Sequence, residues 1–322
     1  MKRCLKTALL GGAASSLMLW PAAAQACASC GCTLTADWLS QGLAAQPGTT
    51  FSLRYDYIPQ TTLRTGTDKI DRARITLPTD REIERYTYNH VVTATLDHQF
   101  ASDWGLDVQL PYYVRPHSTF ADGTIRPSHS NTEGFGDLTV MARWQGLSRP
   151  GSVTGLEAGL VLPTGAFRKT FDAGPEAGED VDRGLQPGTG TVQAVVGAYD
   201  LGALAPELGY FVQVTGQTAV NARAGYRPGS VAQVAGTINY THWRGFTPQL
   251  QVSFRATGRD RGPASDRPNS GGEQVNLAPG FSAKLGSRAT AFGFVELPLY
   301  TRVNGYQLVP KVKASLGVLV HL

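Results

Sequence analysis

The chain has 322 residues, 37 of them glycine, with 29 Lys and Arg against 25 Asp and Glu and a formal charge of +4. Loss of Lys2, Arg3 and Lys6 with an N-terminal signal takes three of the 29 basic residues and no acidic one. The near-neutral remainder gives no electrostatic basis for binding nucleic acid or another polyanion. Of the four cysteines, three fall within Cys27–Cys32, a distribution that fits a disulfide-framework domain poorly.

In chain order, residues 1–26 read as a secretory signal peptide. Lys2, Arg3 and Lys6 make its basic region, Ala8 to Trp20 its apolar stretch, and Ala24-Gln25-Ala26 its cleavage site. The mature chain then begins at Cys27. A cysteine directly after the cleavage point raises lipidation, but Gln25 fits a lipobox poorly. No other uninterrupted apolar run approaches the roughly 18 residues that a spanning helix needs.

Residues 27–48 form an N-terminal segment with the motif Cys27-Ala-Ser-Cys30-Gly-Cys32. One reading is a disulfide or thiol-exchange site with a spare thiol. The other is a soft thiolate site for Cu or Zn at Cys27, Cys30 and Cys32. The stretch Thr33 to Ala45 reads either as a short amphipathic helix that plugs or gates the inner mouth, or as a plain linker.

Residues 49–322 repeat one rhythm. Runs of about ten residues alternate apolar and polar, the length of a tilted strand through a bilayer. The clearest is Trp104 to Val114, with Trp104, Leu106, Val108, Leu110, Tyr112 and Val114 on one face and Gly105, Asp107, Gln109, Pro111 and Tyr113 on the other. Twelve such strands are predicted, near 50–58, 86–100, 104–114, 136–144, 153–162, 191–199, 207–215, 233–240, 249–257, 274–285, 290–300 and 310–322. Short turns alternate with long polar loops, five of the former and six of the latter. The count is therefore even, and both termini fall on the short-turn side. These features predict an all-β fold, an antiparallel up-and-down transmembrane β-barrel of about 12 strands in a Gram-negative outer membrane, with periplasmic termini. Tyr86, Trp104, Tyr112, Trp144, Tyr199 and Tyr240 suit outward interfacial girdles.

The other face is charged. Inward positions predicted from the alternation are Arg54, Asp56, Asp97, Asp107, Asp137, Arg143, Glu157, Arg255, Glu273, Lys284, Glu296, Lys311 and Lys313. Charges inside a barrel must be paired or wet. They form either a stiffening ladder of ion pairs or a polar permeation path, and their mixed signs argue against strong ion selectivity. His129-Ser130-Asn131 holds hydrolase residue types, but adjacent strand residues do not converge on one atom, so no enzymatic activity is expected.

Several segments in sequence order carry a resemblance: Gly134-Phe-Gly-Asp137, Gly159-Leu-Val-Leu-Pro-Thr-Gly165, Leu185-Gln-Pro-Gly-Thr-Gly190, Tyr226-Arg-Pro-Gly229, Asn269-Ser-Gly-Gly272 and Pro298-Leu-Tyr300 with Val303-Asn-Gly-Tyr-Gln307. Through them the chain resembles the transporter-like outer-membrane barrel family named for the meta-pathway of phenol degradation. The resemblance implies a barrel that passes small, hydrophobic or aromatic compounds and supplies no catalytic residues. The end, Val318-Leu-Val-His-Leu322, departs from outer-membrane barrels in lacking a terminal aromatic residue.

Two functions follow as expectations. The first is an outer-membrane channel for passive passage of a small solute, selected at the mouth by residues such as Arg64, Lys69, Asp71, Arg72, Arg74, Arg259, Asp260 and Arg261. The second is an accessory barrel that presents the cysteine segment for metal binding or thiol exchange. Expected partners are outer-membrane lipid, a small-molecule solute and the barrel-assembly machinery. No cofactor is expected beyond Cu or Zn at the cysteines.

Overall fold

The computed structural model describes residues 47–101 and 103–322. The signal peptide and the segment with Cys27, Cys30 and Cys32 lie outside the described residues. The alternation in sequence becomes alternation in space. Along β1 (Gly48–Gly66), Ser52, Asp56 and Ile58 are buried while Phe51, Leu53 and Tyr55 are exposed. The same contrast recurs around the molecule, in Leu96 against Asp97, Val214 against Gln213, Leu250 against Gln251 and Leu316 against Ser315. Apolar residues outside and polar residues inside are the inverse of a water-soluble core and match a lipid-facing wall.

After β1, the elements are β2 (Asp68–Lys69), β3 (Ile83–Gln99), β4 (Trp104–Phe120), β5 (Ser128–Phe135), β6 (Leu138–Trp144), β7 (Ser152–Leu162) and β8 (Gln193–Ala205). Then come β9 (Leu208–Ala219), β10 (Val231–Tyr240), β11 (Phe246–Thr257), β12 (Gly272–Lys284), β13 (Ala289–Pro310) and β14 (Lys313–His321). Neighbours pair antiparallel throughout, and β14 closes on β1 from Thr50↔His321 to Tyr57↔Ala314. Closure leaves no strand edge unpaired in the membrane.

Two of the fourteen strands are extensions. β2 folds back on β1, and β5 continues β6 across Gly136 and Asp137, since β4 pairs with both. The wall therefore has twelve strands. Its five short connections are 100–103, 145–151, 206–207, 241–245 and 285–288, on the side where β1 begins and β14 ends.

The opposite side differs from the expectation of six long loops. Much of what reads as loop is strand. β1 runs on to Gly66, and β4 and β5 form a hairpin whose connection is only 121–127. The sixth long loop does not exist. Val303 pairs antiparallel with Gly272 of β12, whereas Tyr306 pairs antiparallel with Thr65 of β1, so the chain reverses at Asn304–Gly305. Gly305 has φ 58°, a conformation that suits glycine in a tight turn.

Candidate functional site

The lumen is built in three layers. At the short-turn end, Tyr199, Phe211, Ala278, Phe292, Phe294 and Leu319 form a buried cluster backed by Val153 and Leu201. These side chains come from the inward positions of β8, β9, β12, β13 and β14. The rings lie over glycines of neighbouring strands. A Cβ at Gly155 would come 2.4 Å from the Tyr199 ring, and one at Gly280 would come 2.2 Å from Phe294. Tyr199 is thus no outward girdle residue. It is 2% exposed and accepts a hydrogen bond from Gln145 Nε2 through its hydroxyl, because β8 turns its odd-numbered side chains inward. Trp104 and Tyr240 do face out.

Above this floor lies a belt of buried charge. Arg143 contacts Asp97 at 2.6 Å, and Lys313 pairs with Glu296 of the neighbouring strand. Arg54 Nε donates to Asp56 at 2.9 Å, and Ser315 Oγ donates to the same carboxylate. Gln109 Nε2 donates to Asp107 at 2.8 Å, and Gln213 Nε2 donates to Glu157 at 2.9 Å. Pairing of this kind is what makes burial of such groups tolerable.

Two predicted inward residues are elsewhere, and a third is exposed at a strand end. Glu273 lies on the outer face of β12, where Gln274, Asn276 and Ala278 take the inside, and it faces Arg302 at 3.8 Å. Lys311 stands exposed beside Val312 in the irregular step between β13 and β14, so the alternation read back from Lys313 does not extend to it. Lys284 keeps the inward parity but is exposed at the short-turn end of β12.

The third layer is a chamber toward the long-loop end, with a volume of about 330 Å³. Arg54, Tyr113, Arg115, Asp137 and Arg255 line it from the wall. Its remaining lining includes Arg183, Gln186, Pro187 and Thr189, because loop 163–192 folds into the barrel instead of standing above it. Asp137 anchors both ends of that loop, accepting from Gly165 N at 3.0 Å, Thr189 N at 2.8 Å and Thr189 Oγ1 at 2.7 Å. Arg115 and Thr132 donate to carbonyls of residues 184–186 and hold its middle.

Of the mouth residues, Asp260 is buried and accepts from Tyr226 Oη and Gly229 N. Arg72 donates to the Thr61 and Glu84 carbonyls, so it fastens the first loop. At the loop interface, burial and then the carboxylates of Glu82 and Asp266 hold the Asp182 carboxyl well above its ordinary range. Burial likewise lifts Asp266 to about 6, against hydrogen bonds from Asn269. His129 and Ser130 fall on opposite faces of β5 and cannot act as a pair.

Arg115 and Arg183 were missed from sequence. Continuing the odd-numbered parity of β4 past Tyr113 reaches Arg115 and His117. Nothing local marks Arg183, whose position depends on the infolding of a distant loop.

A closed antiparallel barrel with an apolar belt, charged lumen and infolded loop is the architecture of Gram-negative outer-membrane proteins. No protein-family profile matches the chain, and no curated protein matches it. Among solved structures, a COG4313 outer membrane channel from Pseudomonas putida F1 is similar over 86% of this chain and 96% of that one, at 12% identity and a TM-score of 0.62. The CymD monoaromatic hydrocarbon channel (8% identity, 86% and 89% covered, TM-score 0.46) and a Pseudomonas aeruginosa FadL homologue (9%, 86% and 91%, 0.43) match at lower scores.

Proposed function

We propose that the chain is an outer-membrane channel for passive passage of a small solute, hydrophobic or aromatic in class. The observation that carries this reading is the chamber under loop 163–192, a cavity of about 330 Å³ inside the barrel, lined largely by polar side chains. A barrel serving only as an anchor needs no such space. Membership in the meta-pathway phenol family belongs to the same proposal, as do cleavage after residue 26, the periplasmic placement of the short turns and of segment 27–48, and insertion by the barrel-assembly machinery. The lumen residues that a solute meets on this reading are the predicted set without Glu273 and Lys311, extended by Arg115 and Arg183. Swelling of liposomes that contain the purified protein, in iso-osmotic solutions of small neutral and aromatic solutes, tests the proposal. Swelling that depends on solute size supports passage, and liposomes as tight as protein-free ones oppose it.

One observation favours a second reading. Tyr199, Phe211, Phe292 and Phe294 pack as a buried aromatic cluster in the lumen at the short-turn end. A barrel sealed there acts as an accessory scaffold for the cysteine segment, and Cys27, Cys30 and Cys32 then carry metal binding or thiol exchange. Copper or zinc titration with Cys30→Ser as control separates the two.

A further inference from the structure

The charges of the lumen are shared unevenly between the chamber and its surroundings. The carboxylates Asp56, Asp97, Asp107, Glu157 and Glu296 lie outside the chamber lining, each with a polar or cationic partner. The chamber is instead arginine-rich. Arg54, Arg115, Arg183 and Arg255 face it, against only Asp137 and Asp260. Both of those carboxylates are occupied by donors of the loops, as described above.

Three of the four guanidiniums have no carboxylate in contact among the described residues. Arg115 donates to Asn89 Oδ1 and to two carbonyls, Arg183 to the Thr189 carbonyl at 2.7 Å, and Arg255 to Gln233 Oε1 at 3.0 Å. Arg183 Nε and Arg255 Nε are buried N–H donors with no acceptor among the described residues. An unanswered guanidinium in a half-enclosed space is a demand for an anion, and its fork suits a carboxylate.

The chamber also offers flat apolar surface. Arg115 stacks on the Tyr113 ring at 4.9 Å. Arg183 lies 4.5 Å from the Phe167 ring and 4.9 Å from that of Tyr226. Stacking holds these guanidiniums rigid while their edges stay available. Pro111, Pro187 and Pro228 complete the lining with rings. A volume of about 330 Å³ lies at the small end of ligand sites.

We infer that the chamber is a binding site for a small aromatic carboxylate, with Arg183 and Arg255 meeting the carboxylate and the tyrosine and proline rings flanking the ring. This deepens the channel reading and rests on it for biological meaning, but binding is measurable without conduction. Calorimetric titration of the detergent-solubilised full chain with benzoate, cyclohexanecarboxylate and benzyl alcohol is the test. Benzoate is expected to bind at least about tenfold more tightly than benzyl alcohol, and raised salt is expected to weaken it. Arg255→Gln, on a wall strand that does not hold the loop, and Arg183→Gln are each expected to weaken benzoate about tenfold or more. Equal affinity for benzyl alcohol, unchanged affinity in Arg255→Gln, or no benzoate binding at millimolar concentration overturns the site. Cyclohexanecarboxylate binding as tightly as benzoate overturns its aromatic character. Failure of the channel reading looks different: benzoate binds, and liposomes do not swell.

Discussion

Arg143 reaches Asp97 by crossing a strand. Asp97 is on β3 and Arg143 on β6, and β4 lies between them. The crossing passes over Gly105 of β4, the register partner of both Arg143 and Gln99. A Cβ there would come 2.7 Å from Arg143 Nη2 and 2.6 Å from Gln99 Oε1. Glu157 does the same across Gly197 to reach Gln213, and Arg143 and Glu157 are themselves register neighbours. Two contacts of the belt are therefore braces that tie strands two apart. This ties the wall more firmly than nearest-neighbour pairing alone.

Removing one end of a brace leaves the other end buried and charged. Arg143→Met is expected to destabilise the barrel by about 3–5 kcal/mol, and the double substitution Asp97→Leu, Arg143→Met by much less. Gly105→Val is expected to cost a similar amount to Arg143→Met by displacing the guanidinium, although valine favours strands. Urea unfolding in lipid vesicles followed by tryptophan fluorescence measures all three. Additive losses in the double variant would contradict the brace.

Asp137 latches loop 163–192 at both of its ends. Asp137→Ala removes the acceptor of three hydrogen bonds and is expected to free the loop from the lumen while leaving the wall intact. Protease nicking between residues 166 and 188 should rise at least severalfold at an unchanged unfolding midpoint. A loop as resistant as in the wild type would mean that Arg115 and Thr132 hold it alone.

The outer loops carry a pH dependence of known sign. Asp266 titrates at about 6 in the folded loop against an ordinary value of 3.8, so the folded loop binds its proton more tightly than the open one. Loop stability is therefore constant below about pH 4, falls between about 4 and 6, and stays low above that, a loss of about 2–3 kcal/mol. The protection of the Asn269 amide, the slowing of its exchange relative to an unprotected amide at the same pH, should fall over that window. Asp266→Asn should remove the slope and give slower exchange at pH 7. A slope that persists in Asp266→Asn would assign it to Asp182, which burial and the carboxylates of Glu82 and Asp266 also hold high.

The wall was legible because each lipid-facing strand must repeat with period two, and twelve runs did so close to their observed positions. The inner charges Asp97, Arg143 and Lys313 followed from the same parity. Legibility ended where parity lost its physical cause. Beyond the membrane, β1, β4 and β5 continue with polar residues on both faces, so they read as loops. Glu273 and Lys311 sit at strand ends, where one residue of offset reverses the face. Tyr199 looked like a girdle residue because its ring covers Gly155 only after β7 and β8 pair. The chamber was out of reach, since Arg183 enters it through a loop held by Asp137 and Arg115 from distant strands.

The central claim is that the barrel encloses a solute path narrowed by its aromatic floor. Single-channel recording in planar bilayers, wild type beside Phe292→Ala, tests it most directly. A ring removed from a hydrophobic constriction admits water, so the variant is expected to conduct at least severalfold more than a measurable wild type. The same change should cost about 3–5 kcal/mol of stability, which folded, heat-modifiable protein can absorb. Silence from both proteins, once each is shown to be inserted, would contradict the account.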